Sequence, residues 1–338
     1  MRASLSASRA LKSNAERKGL AQFFFDDKTL RFLVDLVLHK LRWRKVLCLG
    51  TPRLHEALLL HDSRTRKERD QEKEREEEES EIQQGEGIES LLLDMDERYQ
   101  VFYPSVDTFV RCNINNLYFF EDEKGEARVW RYLQEGCDGI ILDPPYGVMS
   151  DTLCDTIRRL WHLAGTQSAR PPQNWSVKEG EVGVLWCFPY YLEERVREGL
   201  PSLQMLDYRV CYENHNFFHD GRTIETVHSK DGEGADEKPQ TKEERRKRRK
   251  LEKAREKRVK RAMKKQRSPI RIFTNVMPLS IFEMPKEEGY RYCEACQKHV
   301  DRNNTHCDLC GCCPSKDGRT WRHCELCNKC VKPGMYLS

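Results

Sequence analysis

The chain of 338 residues holds no run of eighteen consecutive apolar residues, so no membrane-spanning helix is expected. Its first twenty residues, MRASLSASRALKSNAERKGL, contain no apolar core of signal-peptide length. Hydrophobic residues are scarce, at 38%, and the scarcity is local. Residues 62–81 hold ten acids and six bases, and residues 241–265 hold fifteen bases and four acids. The second run is net +11 within a total of +4, so the rest of the chain carries −7. A mildly basic whole therefore conceals an acidic body with one strongly basic arm. A G-x-G-x-x-G turn is missing too. A pyrophosphate wants that turn at a helix N-terminus, so its absence counts against a dinucleotide cofactor. Cysteine is sparse through most of the chain, yet nine of the fifteen lie after residue 292. Such crowding without a secretion signal favours metal over disulfides.

What is present alternates between strands and helices. Residues 22–42, QFFFDDKTLRFLVDLVLHKLR, read as an aromatic patch followed by a helix. Asp26 or Asp27 can cap it, and Leu30, Leu33, Val34, Val37, Leu38 and Leu41 recur at helical spacing. KVLCLG (45–50), SLLLDMD (90–96), DGIILDPPY (138–146) and EVGVLWCFPYY (181–191) read as buried strands. MLDYRVCYENHNFF (205–218) and SPIRIFTNV (268–276) read as two late strands joined by a long loop that carries the basic arm. Helical stretches such as DTLCDTIRRLWHLA (151–164) fall between strands. The order predicts an α/β, Rossmann-like fold: a mainly parallel sheet with helices on both faces and an antiparallel pair at one edge. The expected organisation is a disordered N-terminus over 1–20, a sheet domain over 21–284 and a Cys/His-rich segment over 285–338. Charged insertions at 62–87 and 228–267 interrupt the sheet domain, the first as a solvated helix or as disorder.

Ligands of open α/β sheets bind beyond the carboxyl ends of the strands. Asp143 stands at one such end, after Gly139-Ile140-Ile141-Leu142. Pro144 and Pro145 stiffen the turn that follows, and Tyr146 supplies an aromatic face. A carboxylate and the fixed carbonyl of Pro144 could hold the two N–H bonds of an exocyclic amine, with Tyr146 stacked on a base turned out of its helix. At neighbouring strand ends lie Gly50, where backbone can approach a ligand closely, and the acids Asp94 and Asp96, either of which could take ribose hydroxyls.

The tail repeats with a period of 17. Cys293-x2-Cys296 recurs as Cys310-x2-Cys313 and Cys327-x2-Cys330, and His306-Cys307 recurs as His323-Cys324. Three thiolates and an imidazole make a complete tetrahedral zinc set. Two closed sites and a partial third are expected, or sites that interleave between repeats; spacing leaves the pairing open. Cys312 is out of phase. Lys316, Arg319, Arg322, Lys329, Lys332 and Trp321 suit contact with RNA, and a purely scaffolding role for the segment is equally open.

The D-P-P-[YF] tetrapeptide after an apolar strand resembles the signature of amino-group methyltransferases. FFFDDKTLRFLVDLV, KVLCLGTPRLHEAL, SLLLDMDERY, FPYYLEERV, MLDYRVCYENH, SPIRIFTN and EEGYRYC together resemble the zinc-finger-bearing ribosomal RNA adenine-N6 methyltransferases. That resemblance implies a class I methyltransferase sheet, S-adenosylmethionine and Zn2+ as cofactors, and adenosine N6 of large-subunit ribosomal RNA as acceptor. It implies a catalytic role for Asp143, Pro144, Pro145 and Tyr146. Cofactor contacts are implied for Gln22, Phe23, Phe24, Gly50, Thr51, Arg53, Asp94, Asn113 and Asp143. Ribosome-assembly proteins as partners and a nuclear or nucleolar location, with some cytoplasmic protein, are further expectations. The fingers of that family ahead of the methyltransferase domain, and its CCHC knuckle behind the Cys-rich segment, have no counterpart here, so the sequence reads as a fragment or isoform. Two other readings stand beside this one: a protein lysine N-methyltransferase, and an inactive RNA- or ribosome-binding scaffold.

Overall fold

The computed structural model describes residues 23–73, 87–105, 107–120, 122–164, 174–213, 268–332 and 334, with side chains in the first helical insertion described up to residue 62. Residues 1–20, Gln22 and the basic arm lie outside the described residues.

Seven strands form one sheet: β1 (Lys45–Leu49), β2 (Glu89–Asp94), β3 (Phe109–Arg111), β4 (Gly139–Leu142), β5 (Gly183–Pro189), β6 (Gln204–Met205) and β7 (Ile270–Thr274). Their order is β3-β2-β1-β4-β5-β7-β6. The first five are parallel, and β7 runs antiparallel to β5 and β6. Strands β1, β4 and β5 are apolar almost throughout because both their faces are covered. On one side lies α1 (Asp27–Asp35), which runs on into a π-helical turn over Leu36–Lys40. Asp26 caps it, its carboxylate accepting the Thr29 N–H at 2.8 Å. Leu33, Leu36, Val37 and Leu41 from this segment enter the core. Helix α2 (Pro52–Lys73) begins with proline, as a first helical turn permits, and runs through the start of the first charged insertion. The other face is covered by α4 (Glu123–Gln134) and α5 (Ser150–Ala164), whose Val129, Leu133, Ile157 and Leu160 form a second core. Two short helices, α3 (Tyr99–Phe102) and α6 (Glu193–Gly199), complete the set among the described residues.

At the amino ends of β4 and β5 the indole of Trp43 lies flat against the backbone. A Cβ added at Gly139 would meet it at 2.2 Å, and one at Gly183 at 2.6 Å. The two glycines let that indole fill the bottom of the sheet, which leaves the carboxyl ends as the place for a cleft.

The late strand pair departs from expectation in its extent. Residues 205–218 read as one strand; residues 214–218 lie outside the described ones, and β6 is two residues long. Beyond it the chain still touches β7, with Leu206 N–H on Ile272 O at 2.8 Å and Val210 N–H on Ile270 O at 3.2 Å. It then peels away and forms an isolated bridge from Tyr212 to Phe25. The peeling carries Tyr212 to the carboxyl edge of the sheet.

The Cys/His-rich segment forms two small hairpins, β8 (Tyr290–Cys293) with β9 (Lys298–Asp301) and β10 (Arg322–Cys324) with β11 (Lys329–Val331). A buried polar network fastens it to the sheet edge. Asp207 accepts the Asp301 N–H at 2.8 Å and the Asn304 side-chain amide at 2.9 Å. Arg209 pairs with Asp301, and the fully buried Arg271 donates to Lys316 O at 2.7 Å. Each buried charge here has a partner, as burial of a charge requires.

Candidate active site and metal clusters

Chain order reverses between β1 and β4: β2 and β3 lie on one side, β5 and its neighbours on the other. A cleft opens at such a switch. Gly50 ends β1 with φ +64°, and a Cβ there would meet the backbone oxygen of Asp143 at 3.1 Å. Only glycine turns this way at little cost while letting the two strand tips lie so close. Asp143 N–H bonds Leu49 O at 3.1 Å, locking the first residue of the D-P-P-Y turn to β1.

The Asp143 carboxyl is held by two phenols. Tyr212 donates to Oδ1 at 2.8 Å, and the Tyr146 hydroxyl lies 3.1 Å from the same oxygen and in hydrogen-bond contact with Tyr212. Among the described residues Oδ2 receives no hydrogen bond. Burial pushes the Asp143 acid up to about 8, against the two phenol contacts, which pull it down. Tyr146 and Tyr212 are themselves raised well above the phenol range, first by burial and then by the Asp143 charge. Phe23 completes an aromatic box, its ring within 12° of parallel to that of Tyr146 at a centroid distance of 6.3 Å. Phe25 stacks on Tyr212 at 5.6 Å.

The remaining residues singled out by sequence divide by position. Asp94 ends β2, buried, its Oδ1 accepting the Asp96 N–H at 2.9 Å. Asp96 is taken up by Arg98, whose Nη2 lies 2.6 Å from Oδ2. Both acids are buried, Asp94 at the carboxyl end of β2 and Asp96 in an ion pair with Arg98. Asn113 follows β3, and its side chain accepts the Asn115 N–H at 3.1 Å, as in a side-chain-stabilised turn. Pro144 is buried and Pro145 exposed. Thr51 is buried at the start of α2, where its carbonyl accepts the His55 N–H at 3.0 Å. Phe24 is buried, and its carbonyl takes the Glu213 N–H at 2.9 Å. Arg53 is occupied as a strap: it donates to Phe25 O at 2.5 Å, lies 2.6 Å from Asp27 Oδ1, and pairs with Glu213. It thereby binds the segment bearing Phe23 to the one bearing Tyr212. Gln22 lies outside the described residues.

Tyr212 was not legible as a site residue. Its strand could be read, but it is 69 residues from Asp143 in sequence, and only the way β6 breaks off brings the two together. A second group without a sequence signal is His55, fully buried, its Nδ1 2.8 Å from Ser90 Oγ. Burial drives His55 down to about 3, which keeps it neutral as a packing residue under β2.

The tail contains two four-ligand clusters, Cys293–Cys296–His306–Cys313 and Cys307–Cys310–His323–Cys330. In each, the ligand atoms all lie within 4.8 Å of one another. The Cys296–Cys313 and Cys310–Cys330 sulfur separations are 3.8 and 3.7 Å. A zinc tetrahedron with Zn–S bonds of about 2.3 Å has edges near 3.8 Å. His306 and His323 both turn Nδ1 inward, 3.2 Å from Cys296 Sγ and 3.3 Å from Cys310 Sγ. Three cysteines and one histidine with no open position suit structural zinc. The clusters interleave: Cys307, adjacent to His306, serves the second cluster, and Cys313 returns to close the first. Cys324 and Cys327, grouped with the ligands by the 17-residue period, fall in neither cluster.

Comparison with known proteins agrees with this geometry. Residues 16–230 match the family model described as "Probable N6-adenine methyltransferase". The chain is 36% identical over 320 residues to rRNA N(6)-adenosine-methyltransferase ZCCHC4 of Homo sapiens, covering 94% of this chain and 50% of that protein. It is 35% identical over 294 residues to the protein of that name from Mus musculus, covering 86% and 44%. For Xenopus tropicalis the figures are 33% over 295 residues, 86% and 46%. The chain thus spans about half the length of these relatives. With the strand order, the Asp143 turn and the matched family model all in one chain, this protein belongs to the N6-adenine methyltransferase family.

Proposed function

We propose that the chain transfers a methyl group from S-adenosylmethionine to N6 of an adenosine in large-subunit ribosomal RNA. The observation that carries this is the Asp143 clamp: a carboxyl held at Oδ1 by two phenols, with no hydrogen bond to Oδ2 among the described residues, on a proline-stiffened turn at the switch between β1 and β4. The adenine amine is a poor nucleophile because its lone pair is delocalised into the ring. Asp143 Oδ2 and the Pro144 carbonyl accept its two N–H bonds, turn them out of the ring plane and localise the lone pair. Tyr146 supplies the face on which the flipped base stacks.

The donor set at the neighbouring strand ends fits S-adenosylmethionine: an acid at the tip of β2 for ribose hydroxyls, a glycine turn after β1, and no phosphate cradle. When bound, that cofactor supplies an electrophilic methyl group. Asp94 and the Gly50 turn would hold it, and Phe23 would cover the cleft.

RNA as the acceptor is supported by the surface beside the cleft. Tyr190 and Tyr191 follow β5 directly, and Tyr191 is 65% exposed. Lys332 Nζ lies 5.9 Å from the Tyr190 ring and 5.6 Å from the Trp321 ring, where the zinc segment meets the sheet domain. Aromatic faces interleaved with cations suit single-stranded RNA. The basic arm adds phosphate attraction and a nuclear-import signal, in keeping with a nucleolar site of action among ribosome-assembly proteins. Zinc held by the two clusters would fold the tail and set that surface.

The test is tritiated-methyl transfer to ribosomal RNA by wild type and Asp143→Ala, with nucleosides analysed by mass spectrometry. Label in N6-methyladenosine that vanishes in the variant is expected. Label on protein lysine, or equal label with both proteins, would refute the reading.

A further inference from the structure

Tyr212 reaches Asp143 at the end of a stretch, 206–212, that is clasped on two sides. On one side stand α1 and the residues before it. Cys211 N–H donates to Thr29 Oγ1 at 3.0 Å, Asp26 N–H to Cys211 O at 3.0 Å, and Glu213 N–H to Phe24 O at 2.9 Å. On the other side stands the β8–β9 hairpin. The Tyr290 hydroxyl accepts the Arg209 N–H at 3.0 Å, the Asp301 carboxylate pairs with the Arg209 guanidinium, and the Asp207 carboxylate takes the Asp301 N–H at 2.8 Å. The Tyr208 ring stacks on Phe32 of α1 at 3.8 Å and on Tyr290 at 5.7 Å, centroid to centroid.

The hairpin is built as a handle. Tyr290 and Asp301 face each other in register at its open end, and Cys293 and Lys298 at its closed end, where the first metal cluster begins. Asn304 ties in the far side of that cluster. Its amide donates to Asp207 at 2.9 Å and to Ser315 O at 2.8 Å, and its oxygen accepts the Ser315 N–H, two residues past Cys313. A buried polar network of this kind fixes one geometry, because sliding it would strand Arg209 and Asp207 without partners. Val210 and Cys211 alone separate the Arg209 contacts from Tyr212, roughly 10 Å of extended chain. A hydrogen bond tolerates little displacement, so a shift of Arg209 is felt at the phenol.

We propose that Tyr290 and Asp301 are positioning residues of the methyl-transfer site: through Arg209 they set where Tyr212 meets Asp143. The Cys/His-rich segment is then a working part of the acid's geometry as well as a surface beside the cleft. The catalytic consequence rests on the function proposed above, whereas the coupling is a property of the acid and is read without substrate. The titratable groups against Asp143 are Tyr146 on its own turn, Tyr212, and Cys187 on β5. Of these, Tyr212 is the one on the clasped stretch.

The experiment uses the full chain, labelled at its aspartate carboxyl carbons and titrated by carbon NMR, with Asp143→Asn identifying the signal. Tyr290→Phe removes the acceptor for Arg209 and keeps the ring stack. Asp301→Asn removes the counter-charge and keeps the side-chain volume. Each should raise the Asp143 pKa by about half a unit or more, toward its value in Tyr212→Phe. Added to Tyr212→Phe, neither should move it further. Tyr292→Phe, in the same hairpin but paired with His299 away from Arg209, should leave it in place. The sign is diagnostic, because loss of the Asp301 charge acting through the medium alone would favour ionisation and lower the pKa. In methyl transfer the acidic limb of kcat/KM should follow, with KM for the donor unchanged. A pKa unmoved or lowered in both hairpin variants would overturn the proposal, as would one raised equally with and without the Tyr212 hydroxyl. The expected shifts in a chain that transfers no methyl group would refute the proposed function and still support the positioning.

Discussion

The Tyr212 hydroxyl donates a 2.8 Å hydrogen bond to Oδ1 of Asp143, and Tyr146 meets the same oxygen. Two phenols on one oxygen fix the plane of the carboxyl and leave the second oxygen for the substrate amine. Both contacts favour the ionised acid, against burial, which favours the neutral one.

Removing the Tyr212 hydroxyl should therefore raise the Asp143 pKa further. In Tyr212→Phe the acidic limb of kcat/KM against pH should move up by roughly one unit, the worth of one hydrogen bond to a charged group. Purely structural damage would lower the whole profile without displacing it.

Asp143 also links stability to pH. Its folded pKa, about 8, lies above the ordinary 3.8, so the folded state holds this proton more tightly than the unfolded state does. The contribution to stability is fully present below the ordinary value and is lost as pH rises through about 8. Asp143→Asn has no proton to lose. Its stability relative to wild type should improve between pH 5 and pH 9 in urea titrations, and a constant difference would contradict the buried acid.

Arg53 separates a cofactor contact from a strap. Its guanidinium is spent on Phe25, Asp27 and Glu213. Arg53→Met should cost about 2 kcal/mol of stability. It should lower kcat, because Phe23 and Tyr212 lose their common anchor, with KM for the methyl donor nearly unchanged. A tenfold rise in that KM with stability intact would assign Arg53 to the cofactor.

Interleaved clusters predict which metal each cysteine controls. Cys313→Ser should release the ion held with Cys293, and Cys307→Ser the ion held with Cys310. Chelation should remove both and unfold the tail while the sheet domain keeps its far-ultraviolet circular dichroism. Cobalt substitution with visible spectroscopy reads the loss site by site. Had each repeat unit closed its own site, Cys307→Ser would instead empty the Cys293 site.

Much of the sheet was legible because strands β1, β2, β4 and β5 are short apolar runs ended by glycine, acid or proline, and such runs announce themselves locally. Asp143 was legible for the same reason: its turn is contiguous. The length of β6 was not, since 205–218 is apolar enough for a long strand, whereas the chain turns to the Phe25 segment at Tyr212. The ligand pairing was hidden for a related reason. A period of 17 shows that ligands recur, but whether Cys307 or Cys313 completes the first tetrahedron depends on which way the chain folds back.

Local chemistry, set residue by residue, thus determined an α/β sheet, a stiff acidic turn at the end of β4 and a thiol-rich tail. Tertiary structure alone decided that Tyr212 grips Asp143, that Arg53 serves as a strap, and that the metal clusters interleave. The physical reason is range. Hydrophobic period, turn geometry and ligand type act over a few residues and are written in sequence order. Contacts across 69 residues, as between Asp143 and Tyr212, exist only after packing has chosen which strand ends meet.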